Sequence, residues 1–293
     1  MSSGILIVDK PEGWTSQDVA AKLRGVFHEK RVGHGGTLDP MATGVLPIFL
    51  GRATRAVEFF ESAEKEYVAG LRLGVETNTQ DTTGEILNQR PVTVPREQVE
   101  AVLAQFLGPQ QQLPPMYSAV KIGGRKLYEL ARQGKTVERK PRDITILELE
   151  LLEGEGADYL LRVRCSKGTY VRTLCHDIGR ALGCGGCMSS LRRTQAGCYT
   201  LDRAVTLDQV IAAPDPDALL LPVDSLFAAL PAVTVSQRQL KPIFNGADAK
   251  APGLSPGTYR VYGPDGQFLM VGRADGAQLH TIKSFFEVSK SGT

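Results

Sequence analysis

Residues 33–44 read Gly-His-Gly-Gly-Thr-Leu-Asp-Pro-Met-Ala-Thr-Gly, and this stretch restricts the backbone more tightly than its surroundings. Four glycines, Gly33, Gly35, Gly36 and Gly44, surround one histidine, His34, and one carboxylate, Asp39. Glycine lets a chain turn sharply and approach a ligand closely. Pro40 drives Asp39 away from helical backbone towards an extended one. The segment must therefore be a tight loop with Asp39 at its lip. A carboxylate presented that way serves as nucleophile, acid or base, and a solvated Asp in a Gly-rich turn has the same pattern. The common phosphate cradles do not fit. No Lys follows any of these glycines as a Walker loop requires, and Leu38 stands where a dinucleotide fingerprint needs Gly.

A chain of 293 residues suggests one large domain, or a large and a small one. Its 42% hydrophobic and 23% charged residues are ordinary for a globular protein. It shows no secretory leader and no apolar run near the ~18 residues of a membrane span, so a cytoplasmic protein without membrane contact is expected. The net charge is only +2, but it is unevenly spread. Residues 121–142 hold Lys121, Arg125, Lys126, Arg132, Lys135, Arg139, Lys140 and Arg142 against two glutamates. A second cluster of eight cations lies in 162–203, while 204–235 hold none. Such segregation either builds a basic face for a polyanion or leaves ordinary solvated faces.

Residues 4–10 read as a buried strand. Thr15 or Ser16 caps a helix whose Val19, Leu23, Val26 and Phe27 share a face. A strand is expected at 67–74, and a helix opened by Pro95 that carries Val99, Val102, Leu103 and Phe106. Residues 109–142 look like a long excursion from the core, with a short helix around Lys126–Arg132. Strands near 144–151 and 161–165 form a hairpin through Gly154 and Gly156, and a helix spans 171–182. From Leu230 onward short strands and turns, including an Asp265-Gly266 hairpin, point to a small β-barrel module.

Gly33 to Pro47 as a whole resembles the signature of the TruB family of tRNA pseudouridine synthases, with Gly35 where Thr is usual. Five more strings match in family order: Val8-Asp9-Lys10-Pro11, Lys65-Glu66-Tyr67, residues 113–132, Ser166 to Leu174, and Leu191-Arg192-Arg193. The resemblance covers residues 4 to about 203. It implies an α+β pseudouridine synthase fold, with a central mixed or antiparallel sheet flanked by helices and loops. It also implies a catalytic domain at 1–229, with an RNA-clasping insertion at about 109–142, and a PUA-like RNA-binding module at 230–293. The implied reaction is isomerisation of uridine 55 in the tRNA T-loop, by base flipping, with no metal or organic cofactor and no obligate protein partner, in a monomer.

By the same resemblance Asp39 is catalytic, Arg172 pairs with it, and Tyr67 stacks on the flipped base. His34 takes the vacated space or contacts backbone, while Lys10, Tyr170 and Leu191 shape the pocket. Lys121, Arg125, Lys126 and Arg132 grip phosphates. Taken alone, Arg172 also reads as a helix-surface residue and Tyr67 as a core strand residue. An RNA-binding chaperone would share the basic faces without needing Asp39. Cys184-Gly-Gly-Cys187 has the spacing of half a zinc site, with no second such pair to complete it.

Overall fold

The computed structural model describes residues 2–286. The chain opens with β1 (Gly4–Lys10), β2 (Val32–His34), β3 (Thr43–Leu50) and β4 (Lys65–Leu73). A hairpin of β5 (Val75–Thr77) and β6 (Ile86–Gln89) leads to β7 (Gly108–Gln112). Two short strands, β8 (Lys121–Ile122) and β9 (Arg125–Lys126), lie in the excursion. Then come β10 (Arg142–Glu155), β11 (Asp158–Cys165), β12 (Gly186–Ala196), β13 (Tyr199–Thr200) and β14 (Val205–Thr206). Between them run α1 (Ser16–Val26), α2 (Val57–Phe60), α3 (Arg96–Leu103), α4 (Leu127–Ala131), α5 (Val171–Ala181) and α6 (Leu207–Ala212).

One mixed sheet dominates, in the order β14-β1-β3-β12-β4-β11-β10-β7, with β2 beside β3 and β13 beside β12. Within it, among the described residues, β1–β14 and β3–β12 are the parallel strand pairs. Strand side chains alternate between faces, and β1 shows how both faces become buried. Leu6 and Val8 join the core beneath α1, α3 and α5, whereas Ile5 and Ile7 join an aromatic core with Phe49, Phe60 and Phe227. Helix α1 starts at a capping box: Thr15 Oγ1 accepts from the Asp18 N–H, and Asp18 accepts from the Thr15 N–H, both at 3.0 Å.

Beyond this body, β15 (Ala232–Thr234), α7 (Gln237–Phe244), β16 (Ala249–Lys250), β17 (Gly257–Tyr262), β18 (Phe268–Ala274) and β19 (Gln278–Ser284) form a second sheet. Its order β15-β17-β18-β19-β16 makes the five-stranded half-barrel expected of a PUA-like module. Residues 287–293 of the expected module lie outside the described residues. Phe268 and Phe285 seat it on Phe227, at ring-centroid distances of 6.1 and 5.8 Å. Among the described residues no helix is long and apolar enough to cross a membrane.

Three expectations are corrected. The excursion does not begin at 109, because Gly108–Gln112 is an edge strand paired with β10. The helix opened by Pro95 ends at Leu103, and Phe106 sits in a following 3-10 turn. The second basic cluster is largely neutralised rather than a free basic face, with Lys167 and Arg180 left exposed. Arg162 pairs with Glu150, Arg164 with Glu64 and Glu148, Arg192 with Asp9, and Arg172 is buried. These acids come from distant strands and segments, which a local charge count does not see.

Candidate active site

The loop between β2 and β3 is built on backbone that side chains resist. Gly36 and Gly44 have φ of +99° and +100°. A Cβ on Gly44 would stand 2.2 Å from the Arg193 carbonyl on β12, so the sheet closes there only over glycine. Gly35 is required by packing: a Cβ there would lie 2.5 Å from the ring of Phe60, which fills the space. Ser16 was a candidate cap, but its hydroxyl is buried and ties the loop to α1. It accepts from the Leu38 N–H at 2.8 Å and donates to the Leu38 carbonyl at 3.2 Å.

Asp39 emerges from this scaffold facing Arg172 in the first turn of α5. Arg172 Nε lies 2.9 Å from Asp39 Oδ2, and Nη2 lies 3.3 Å from Oδ1. The two-pronged contact fixes the carboxylate plane. Arg172 is itself buried, with Nη1 donating to the Thr79 carbonyl at 3.0 Å and Nη2 to the Tyr117 carbonyl at 2.9 Å. On its other side, Asp81 Oδ2 is 3.6 Å from Nη1. Asp81 is buried, and its Oδ1 accepts from Thr79 Oγ1, the Thr83 N–H and Thr83 Oγ1 at 2.8, 3.0 and 2.6 Å. The cation thus bridges two carboxylates, one saturated and one open. Sequence reading missed Asp81, because Asp-Thr-Thr-Gly has the composition of any turn.

Asp39 and Arg172 border a cavity of about 420 Å³, which His34, Tyr67, Tyr170 and Leu191 also line. Asp39 keeps 36% of its side-chain surface, yet it sits deep between protein walls. Burial therefore raises its carboxyl above the ordinary range; Arg172 opposes the rise and Asp81 adds to it. Burial also raises the Tyr67 phenol and lowers His34, with Arg193 reinforcing the histidine shift. His34 Nδ1 is buried and has no hydrogen-bond partner. Arg193, 1% exposed, donates to the Val45 and Gly36 carbonyls at 2.6 and 3.1 Å.

Lys10 does not line the cavity. It is wholly buried behind the loop, donating to the carbonyls of Pro11 at 2.7 Å and Pro40 at 3.2 Å. Burial pulls its amine down to about 8, against the pull of Asp39.

Lys121, Arg125, Lys126 and Arg132 ride on the insertion, and none of them borders the cavity. Lys126 and Arg132 each stand 5.4 Å from the Tyr128 ring centre. Among the described residues no carboxylate comes within ion-pair distance of the eight cations at 121–142. Cys184 and Cys187 are buried free thiols, and among the described residues no three His, Cys, Asp or Glu side chains converge on a metal-sized site.

Residues 24–171 match the family model of the TruB family pseudouridylate synthase N-terminal domain. Residues 172–228 match that of the tRNA pseudouridylate synthase B C-terminal domain. The chain is 46% identical to a tRNA pseudouridine synthase B of Syntrophomonas wolfei, over 95% of this chain and 96% of that one. It is 45% identical to another from Stutzerimonas stutzeri, over 92% and 91%. Among solved structures it is similar to a chain in a Cbf5-Nop10-Gar1 complex, with TM-score 0.73 and 29% identity, covering 97% of this chain and 85% of that one.

Proposed function

The chain belongs to the TruB family of pseudouridylate synthases, and from that premise we propose that the Asp39 cleft is where it isomerises uridine to pseudouridine in tRNA. The target is uridine 55 of the T-loop. In the reaction the N1–C1′ bond breaks, the uracil turns, and a C5–C1′ bond forms; the proton lost at C5 is balanced by one gained at N1. The observation that carries the assignment is the open face of Asp39, held in plane by a buried Arg172 at the wall of a base-sized cavity.

A base stacked inside tRNA must be flipped out to reach that depth. Tyr67 offers its ring as a stacking platform, and Leu191 and Tyr170 close the remaining walls. His34, neutral and unpartnered at Nδ1, faces the entering nucleotide. Asp39 attacks the nucleotide and leaves again as a carboxylate once the C5–C1′ bond has formed, and Arg172 favours its ionised form against burial. Lys10 acts from behind, through Pro40. The unpaired cations at 121–142 make the insertion the RNA clasp, and residues 230–293 a second RNA-binding module beside a catalytic domain of 1–229. The enzyme works as a monomer in the cytoplasm, without cofactor or obligate protein partner.

The test is incubation with an unmodified tRNA transcript followed by pseudouridine mapping, alongside Asp39→Asn. Pseudouridine at position 55 with the parent and none with the variant supports the reading. Activity retained in Asp39→Asn refutes it. A chaperone would remodel tRNA equally well with either protein.

A further inference from the structure

The insertion hangs from one point of the sheet. It leaves after Gln112, the last residue of β7, and returns at Arg142, the first of β10, and these two are register partners. Arg139 Nη1 closes the neck by donating to the Pro114 carbonyl at 2.9 Å. A tilt of the segment 113–141 is therefore felt first at Gln112.

Gln112 is a polar residue only 4% exposed, and its amide is spent on one neighbour. Nε2 donates to the Tyr170 carbonyl at 3.1 Å, and the Tyr170 N–H donates to Oε1 at 2.8 Å. Tyr170 is the N-cap of α5, has no side-chain capping bond of its own, and stands two residues before Arg172. From the other direction Arg172 Nη2 holds the carbonyl of Tyr117, five residues past Gln112. The root of the insertion and the start of α5 are thus stitched twice, Gln112 to Tyr170 and Tyr117 to Arg172.

We propose that Gln112 is a positioning residue for the isomerisation. It fixes the first turn of α5 to the root of the insertion, so that closure of the clasp on RNA and alignment of Arg172 against Asp39 happen together. The proposal rests on the reading of Asp39 as the attacking group. Gln112 touches neither Asp39 nor the cavity; it acts through Tyr170 and Arg172. A side chain of similar shape without the amide leaves the Tyr170 N–H without its partner, and α5 relieves this by shifting. A shift of about 1 Å at a reacting pair lowers a rate by on the order of 100-fold.

The test is Gln112→Met, with Gln112→Glu and Asp39→Asn in parallel, on unmodified tRNA transcript. The expected single-turnover rate of Gln112→Met is lower by roughly 10- to 100-fold, with tRNA affinity within about threefold of the parent. The acid limb of its rate profile moves to higher pH, because a loosened Arg172 offsets less of the burial and of the Asp81 charge acting on Asp39, where Lys10 is the other facing cation. Gln112→Glu keeps the acceptor for the Tyr170 N–H but sets a buried carboxylate oxygen against the Tyr170 carbonyl, so its rate is expected to fall by a similar factor. A Gln112→Met rate within about twofold of the parent overturns the proposal. So does a loss that falls equally on tRNA affinity while the acid limb stays put. If Gln112→Met does not fold, Gln112→Glu is judged by the same two criteria. An active Asp39→Asn sinks the underlying reading; an inactive one beside a full-rate Gln112→Met sinks only the coupling.

Discussion

Arg172→Lys keeps the charge and removes the fork, so it isolates what the geometry contributes. The guanidinium makes three hydrogen bonds, one each to Asp39, the Thr79 carbonyl and the Tyr117 carbonyl, and its Nε stands 2.9 Å from the second Asp39 oxygen in the ion pair. A lysine ammonium donates from a single point at the end of a shorter reach. It serves the carboxylate and at most one carbonyl, leaving one or two part-buried acceptors unpaired. Each unpaired group costs about 1–3 kcal/mol, partly relieved where water enters beside the open Asp39, so the variant should lose about 2–4 kcal/mol of stability. Arg172→Met also leaves Asp81 and Asp39 uncompensated and should lose about 3–5 kcal/mol. The assay is urea unfolding of all three proteins, with single-turnover pseudouridine formation on tRNA transcript. The lysine variant should turn over on the order of 100-fold more slowly, from misplacement of the reacting pair, with tRNA affinity within a few-fold. An Arg172→Lys protein as stable as the parent and within about twofold of its rate would show that the fork has no part in holding Asp39.

Asp39→Asn should abolish isomerisation and bind tRNA within a few-fold, since phosphate contacts supply most RNA affinity. Because the folded Asp39 pKa lies above its unfolded value, this group's stabilisation is full at low pH and is lost as pH rises through the folded pKa. The uncharged variant should therefore melt no lower than the parent at pH 7. Lys10 has the opposite sign: its folded amine sits at about 8 against 10.5, so stability rises with pH across that window. Urea unfolding at pH 7.5 and 9.5 should show a gain in the parent that shrinks in Lys10→Met; equal gains would place the effect elsewhere, for instance at Lys65, which has the same shift. Neutralising Lys121, Arg125, Lys126 and Arg132 together should flatten the salt dependence of tRNA binding by up to about four phosphate contacts' worth; an unchanged slope would remove the insertion as the clasp. Gly35→Thr should cost about 1–3 kcal/mol by overpacking against Phe60, and Phe60→Leu should recover part of that loss in the double variant; additive losses would show that the two sites are independent.

What the chain states locally, it states clearly. The glycines and Pro40 mark a loop that presents Asp39, Thr15 or Ser16 marks the start of α1, and the Gly154–Gly156 turn joins β10 to β11. These depend on neighbours within a few residues, where backbone preference decides. Other features depend on partners the sequence places far away. The Pro-Gln-Gln-Gln run has no alternating pattern, and β7 exists only because β10 pairs with it. Strand β12 sits at the centre of the sheet, yet two register shifts blur its period and Arg193 interrupts its apolar run. Arg193 is tolerated there because the Val45 and Gly36 carbonyls take up its donors. Asp81 and Arg172 are 91 positions apart, and charge that looked segregated along the chain was cancelled by Glu148, Glu150, Glu64 and Asp9 across strands. Residue order alone therefore determined the reactive loop and its likeness to a family of RNA isomerases. Tertiary structure decided which cations are left without a carboxylate beside them, and how Arg172 is set against Asp39. Both depend on distances between side chains that only the closed sheet brings within reach.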